Sequence, residues 1–370
     1  MELLQDLTGR YQEAFGAADC SSDGMKRAVC RWIRLYYGGN DRPGFDGCLR
    51  IPYTIVRKLS RAVFAEYQVT GCPITEKLPA RQALELAMIA GECYLKPGTE
   101  GFYAVSRGNV LIFGRDLRGE PTDIGLLEKS RLGKFYFTLL ERRTLDEKGM
   151  LTVTNRLYRS GNPNVLGKEV RLQEHPAYAE LPQRYTWPQS IGSVGMVRLK
   201  MPMTNCIDGS GEGVSIYAAA ESLIEAIAEN EAQLRGEFRR GQSRLVVSRD
   251  MLRDGKLKDD IFVGLDESPD IVGITVFSPE LREQAYLARQ QAYLRSVENI
   301  IGLKRGLLSQ VEAVDRTATE ITSSEGEYMS TIYELRQVWQ ETAVKAGKLW
   351  QALGGSGAGE PEFIWGDGVL

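Results

Sequence analysis

The chain has 370 residues, 43% of them hydrophobic, enough for a sizeable core and two or three structural units. Its net charge of −3 excludes a strongly basic surface as a global property and leaves only a local one for nucleic acid. A single histidine, His175, and six cysteines without a CxxC pair argue against a Cys/His zinc site and against histidine-based acid–base catalysis.

The opening "MELLQDLTGRYQEAF" is amphipathic and acidic, not a signal peptide. "SSDGMKRAVCRWIRLYY" has Ser and Asp start signals ahead of an apolar face of Ala28, Trp32, Leu35 and Tyr36. In "IPYTIVRKLSRAVFAEY", Pro52 sits in a first helical turn, where its missing N–H costs nothing, and Ile55, Leu59, Val63 and Phe64 recur at helical spacing. "LPARQALELAMIAGECYLKP" repeats the pattern, opened by Pro79 and closed by Gly91 as a left-handed cap. Strands follow. "FYAVS" and "VLIFG" read as a hairpin about Gly108 and Asn109, and "KFYFTLLERRTL" with "MLTVTNRLYRS" as another about Glu147 to Gly149. Residues 161–194, rich in Pro, Gly and polar side chains, read as irregular, and "GMVRLKM" as one more short strand.

From residue 213 the periodicity is helical again. Ile216, Ala220, Leu223, Ile227, Leu234 and Phe238 make one stripe through 213–238. "RLVVS", "DIFVGL" and "IVGITVF" are short strands in a module too small to hold a core alone. A second long helix follows, capped by Ser278, turned by Pro279 and stopped by Gly302. A third runs from near 317 to about 352 and carries Tyr328, Ile332, Leu335, Trp339, Ala346 and Leu349. "GGSGAGE" is then a linker, and "PEFIWGDGVL" a strand-like tail. Two long helices bracketing a small β module predict a stalk with a cap. No apolar run approaches the roughly 20 residues of a membrane span, so no membrane partner is expected, and the cysteines read as reduced thiols of a cytosolic protein.

Four motifs carry candidate chemistry. "DGSGEG" at 208–213 precedes a helix and suits either a phosphate cradle or a flexible lead-in; no Lys-Ser/Thr follows it, which favours the lead-in. Asp259, Asp260, Asp266, Glu267 and Asp270 are clustered carboxylates that fit no EF-hand spacing; they suit a solvated or partner-docking face better than a metal site. Glu221, Glu225 and Glu229 recur every four residues opposite the apolar stripe, either as a solvated face or as the negative wall of a passage that must not hold phosphate tightly. Finally, "DRTATEITSSEGEYMS" writes two capping boxes for one helix, Thr317 with Glu320 and Ser324 with Glu327. Either one is a coincidence of common residues, or the helix has an early and a late start.

In combination, these segments resemble the portal proteins of tailed bacteriophages, specifically the type of long-tailed phages of Gram-positive hosts, also described as minor capsid proteins. The resemblance rests on "IPYTIVRKLSRAVFAE", "DGSGEGVSIYAAAESLIEAIAENEAQLRGEFRRGQSRLVVSRDML", "VFSPELREQAYLARQQAYLRSVENIIGLKRGLLS" and "RTATEITSSEGEYMSTI". Ser248 stands where the family usually has Pro, and residues 100–200 resemble it only in texture. The resemblance implies an α+β portal fold with an α/β wing (1–205), a first stem helix (206–240), a small β-containing clip (241–277), a second stem helix (278–302), a tunnel loop (303–320), a long helix of wing and crown (321–352) and a linker with a short tail strand (353–370). Family members continue into further crown helices, so a shortened crown is implied here. It also implies a dodecameric ring at a capsid vertex of the virion, assembled in the host cytoplasm. That ring is a conduit for packaging and ejecting double-stranded DNA. Its partners are the terminase large subunit, the head–tail adaptor and the major capsid or scaffolding protein. Neither cofactor, metal nor catalysis is implied. Lys304, Arg305 and Arg316 would face DNA from the tunnel loop, Glu221, Glu225 and Glu229 would line the channel, and Asp259, Asp260, Asp266 and Glu267 would dock partners at the clip. The alternatives are an enzyme acting on nucleotides or nucleic acid through the Gly-rich loop, and a virion adaptor that forms no ring.

Overall fold

A computed structural model describes residues 2–38, 49–240, 244–247, 252–253, 256–257, 274–277, 280–310, 318–356 and 359–366. Helix and sheet are mixed, as an α+β class requires. The helices are α1 (Glu2–Phe15), α2 (Asp23–Tyr37), α3 (Ile51–Val63), α4 (Pro73–Glu76), α5 (Ala80–Ala90), α6 (Glu221–Arg240), α7 (Glu283–Ile301) and α8 (Ala318–Ala352). The strands are β1 (Gln68–Thr70), β2 (Glu92–Pro97), β3 (Phe102–Ser106), β4 (Val110–Arg115), β5 (Pro121–Leu132), β6 (Phe135–Leu145), β7 (Met150–Ser160), β8 (Lys168–Val170), β9 (Arg184–Ser190), β10 (Val197–Lys200), β11 (Arg244–Val247), β12 (Leu252–Arg253), β13 (Lys256–Leu257), β14 (Ile274–Phe277) and β15 (Glu362–Ile364).

The main core lies among the helices. Trp32 of α2, Ile55 and Leu59 of α3, Leu84 and Met88 of α5, Tyr217, Ile227 of α6, Val297 of α7 and Ile332 and Trp339 of α8 all pack into it. These are the positions the helical spacing marks in α2, α3 and α8. Ser22 caps α2 by accepting the Met25 N–H, Pro52 lies in the first turn of α3, and Gly91 ends α5 at φ 82°. Gly91 has a second constraint: a Cβ there would lie 2.2 Å from the Gly213 carbonyl oxygen.

A six-stranded antiparallel sheet, β4-β5-β6-β7 continued by β8 and β9, forms a second layer. Tyr11 and Phe15 of α1 pack on it with Leu111, Leu140 and Tyr158. Phe137, Leu139, Leu157, Leu172 and Tyr178 form a further small cluster. A smaller sheet, β10-β2-β3, lies against the helical core.

The expected hairpin about Gly108 does not form. β3 pairs with β2 and β4 with β5, and a 3-10 turn at Arg107–Asn109 carries the chain from one sheet to the other. The cause is the buried Arg107 side chain. It donates to the Val110 carbonyl and to Ser21, and so anchors the crossing. The second expected hairpin is real: β6 and β7 pair from Tyr136↔Ser160 to Leu145↔Leu151, with Gly149 at φ 75° in the turn. β5 and β9 were not marked by the sequence pattern. β9 lies on a largely exposed edge, where alternation of apolar and polar residues is weak.

Two helix boundaries also differ. The stripe expected from 213 begins as helix only at Ala218, as a 3-10 turn, and becomes α6 at Glu221. Residues 213–215 are irregular and 216–217 form a turn, tied to α5 where the Met88 carbonyl accepts from the Ile216 N–H and the Ser215 hydroxyl. α7 begins at Glu283 with no side-chain cap at Arg282, while Ser278 and Pro279 lie outside the described residues; its stop at Gly302, φ 72°, is as expected. Between α6 and α7, β11 pairs antiparallel with β14 and β12 with β13. The tail strand β15 pairs with β1.

Candidate functional site

α6 and α7 run antiparallel, and their contacts alternate between apolar and polar. Ile224, Ile227, Leu234, Leu294 and Val297 are buried. Between them, Asn230 interrupts the apolar face of α6. Its amide donates to the Tyr286 carbonyl at 3.0 Å and accepts from Arg289 at 2.7 Å. Arg289 also reaches Gln233, and further out Arg282 forms a two-pronged pair with Glu237 at 3.0 Å. A polar group buried at a helix contact forfeits hydration unless paired, so the Asn230 set fixes the register of the two helices.

The three glutamates of α6 do not share one environment. Glu221 points back into the helical core region. It takes the Arg31 guanidinium at 2.5 Å and the Trp32 indole N–H at 3.0 Å, with a side chain 12% exposed. Glu225 and Glu229 are exposed. The free negative face of α6 is therefore shorter than the sequence spacing implies.

Residues 303–310 are held tightly by the end of α7. Glu298 is fully buried. Its Oε1 accepts from the backbone N–H groups of Gly306 (3.1 Å), Leu308 (2.5 Å) and Ser309 (2.9 Å), and its Oε2 from the Ser309 hydroxyl at 2.7 Å. Gln291 accepts the Gln310 N–H at 2.7 Å, Lys58 of α3 donates to the Leu307 carbonyl, and Thr331 of α8 donates to the Gly302 carbonyl. A carboxylate with four donors is a strong anchor. Lys304 pairs with Glu325 of α8 at 3.0 Å, while Arg305 is exposed. Arg316, Thr317 and the acidic set Asp259, Asp260, Asp266 and Glu267 lie outside the described residues. α8 spans Ala318–Ala352, so Glu320 and Ser324 lie within it, and Glu327 is exposed on its third turn.

No family model matches the chain, and no curated protein matches it. Among solved structures it is similar to a chain in the neck of a native gene transfer agent particle computed with C12 symmetry. There the identity is 10% and the TM-score 0.49, over 96% of this chain and 87% of that one. It is also similar to a chain of the virion of a native gene transfer agent particle, at 11% identity and a TM-score of 0.46, over 94% and 91%.

The Gly-rich turn is already occupied by the chain's own acceptors. Ser210 N–H goes to Asp208 and Gly213 N–H to Glu92, while Asp208 also accepts from Ser22 and Asn205. Behind the turn lies a buried ionic cluster. Glu92 pairs with Arg198 at 2.5 Å and Arg107 at 3.9 Å, and Glu212 with Arg107 at 3.2 Å and Arg115 at 3.6 Å. Burial alone would raise the Glu92 carboxyl. Arg198 and Arg107 outweigh it and hold the group down at about 2. The turn is therefore a junction between the sheets and α6 in which the N–H groups of Asp208, Ser210, Glu212 and Gly213 already have acceptors within the chain.

Glu298 and Asn230 were missed in the sequence, although a signal for each is present. Glu298 falls on the apolar face of Leu294, Val297 and Ile301, and Asn230 falls between Ile227 and Leu234. A polar residue on an otherwise apolar stripe marks a buried hydrogen-bonding position.

Proposed function

We propose that this chain is the subunit of a portal ring at a phage capsid vertex, a conduit for DNA without chemistry of its own. The observation that carries the reading is the α6–α7 pair. Two long antiparallel helices enclose 42 residues, 241–282, whose described strands pair outer with outer and inner with inner. The helices emerge from the same helical core that receives α8. Such a projecting pair has one face for its own protomer and another for neighbours. Exposed Phe238, Leu287 and Ile300 supply apolar contact on it.

In the assembled ring, α6 and α7 form the stem, residues 241–277 the clip, and residues 303–320 the tunnel loop. Glu225 and Glu229 make the lumen negative, which keeps phosphates from sticking during translocation. Arg305, exposed beside the clamped turn, is the strongest described candidate for touching DNA, whereas Lys304 is engaged by Glu325. The role of Arg316 rests on the sequence alone. So does that of the acidic clip residues as a rim for the packaging motor and then the adaptor. The nucleotide-enzyme reading is weakened by the turn at 208–213, where the Asp208, Ser210, Glu212 and Gly213 N–H groups are taken by the chain's own acceptors.

Negative-stain microscopy of the purified chain tests the reading. Rings with a central hole and close to twelvefold symmetry are expected. Monomers at every concentration, measured in parallel by light scattering, overturn it.

A further inference from the structure

A cavity of about 330 Å³ opens where the end of α8 meets the small sheet and β9. It is lined by Pro97, Arg143, Trp187, Trp350, Leu353 and Gly355, among others. Its walls are aromatic. Tyr185 packs edge-on against Trp187 and Phe102 lies tilted against Trp350, and the chain after α8 folds back so that the Trp350 indole donates to the Ser356 carbonyl. Gly355 lies so close to that indole that a Cβ would come within 2.2 Å of it.

Arg143 also reaches this cavity, although it is only 6% exposed. Its Nε donates to Glu141 at 2.5 Å, and its Nη1 to the carbonyls of Val194 and Gly195. Its Nη2 has no hydrogen-bond partner among the described residues, and it is not one of the sealed polar atoms. Glu141 is shared with Lys96, which pairs with it at 2.6 Å. Two buried cations thus face one carboxylate. A buried charge without a counter-charge is costly, so one further anion at this place is favoured.

We propose that the cavity is a binding site for a monocarboxylate on a flat apolar body, the carboxylate meeting Arg143 and the body lying against the two indoles. The free Nη2 of the guanidinium suits a carboxylate oxygen, indole faces suit flat apolar groups, and the volume falls at the lower end of small-ligand sites. One unfilled nitrogen and one surplus positive charge match a single carboxylate better than a phosphate, whose second charge and third oxygen would have no donor. Nothing in the proposed DNA conduit uses this site, which lies at the far end of α8 from the loop at 303–310.

Calorimetric titration of the full chain with 3-phenylpropionate and its uncharged amide tests this. The acid is expected to bind at least about tenfold tighter than the amide, the effect of one charge-assisted hydrogen bond. Trp187→Ala, on the exposed edge strand, should weaken acid binding by about tenfold while the melting curve stays unchanged. Acetyl-Phe-Glu-amide presents the same chemistry on a peptide. Tighter binding than the free acid identifies a partner chain as the source, and weaker binding a free acid. No heat with the acid, equal affinity for acid and amide, or undiminished binding in Trp187→Ala overturns the proposal; so does phosphate binding as tightly as the acid.

Discussion

The junction beneath the Gly-rich turn and the α6–α7 pair are both held by charged and polar contacts, but in opposite ways. At the junction, the side chains of Glu92, Glu212, Arg107 and Arg198 are buried and share their partners in one network. Along the helix pair, the outermost contact, Arg282 with Glu237, leaves the arginine side chain 70% exposed. Such an exposed pair is screened by solvent and contributes little. Breaking a buried network strands uncompensated charge. The first region is self-sufficient within one chain. The outer half of the second has few buried side chains among the described residues.

The largest effect should come from breaking the junction. Glu92→Ala removes the buried partner of Arg198 and leaves Arg107 only Glu212, and a loss of about 3–5 kcal/mol is expected in denaturant unfolding. The same residue predicts the acid response. Its folded carboxyl sits at about 2, below the unfolded value of about 4.3. Its contribution is therefore complete above pH ~4.5 and is lost as pH falls towards 2. Glu92→Gln should flatten stability against pH across that window. An unchanged slope would mean that the network does not govern acid stability.

The helix pair separates inward from outward positions. Ile227 is fully buried and Ile300 is 48% exposed. Ile227→Asp should destabilise the protomer by about 3 kcal/mol or more, as an unpaired buried charge does. Ile300→Asp should alter protomer stability by no more than about 0.5 kcal/mol, as surface changes do, yet reduce the oligomer in light scattering. If Ile300→Asp assembles like the parent, that face of α7 is not a subunit contact.

Much of the helical framework was legible in the sequence, for a physical reason. Caps and prolines act locally, so Ser22, Pro52, Gly91 and Gly302 mark their helix ends correctly. The misjudged places are those where one distant side chain overrides the local pattern. Arg107 turns an expected hairpin into a crossing between sheets, and Met88 holds 213–217 out of the helix that their periodicity suggests. The candidate site shows the same division. The helix pair was visible as stripes, but Glu221 was not visibly a partner of Arg31, because sequence spacing cannot see a contact 190 positions away.

A smaller effect is expected at the Glu298 clamp. Glu298→Ala leaves three backbone N–H groups without their acceptor, a cost of about 2–3 kcal/mol after partial rescue by water. Hydrogen exchange at Gly306, Leu308 and Ser309 should accelerate, while exchange in α3 and α5 stays slow. Uniform acceleration through the core would make Glu298 a general stabiliser instead of a clamp on this turn.

The smallest effect concerns the start of α8, where each cap is worth about 1 kcal/mol. The helix begins at Ala318, so the early box of Thr317 and Glu320 is the one expected to operate. The late box lies inside the helix, and beside it Glu325 is engaged by Lys304. A surface pair of this kind contributes no more than about 1 kcal/mol, comparable to a cap. Thr317→Ala with Glu320→Ala should shift the start towards Ser324 and raise exchange at residues 318–323. Ser324→Ala with Glu327→Ala should leave those amides as slow as in the parent. Lys304→Ala added to the first pair should raise exchange at 318–323 further, because the Lys304–Glu325 pair is present with the helix at its early start. If all variants protect 318–323 equally, α8 has one fixed beginning and the second capping box is a coincidence of Ser and Glu.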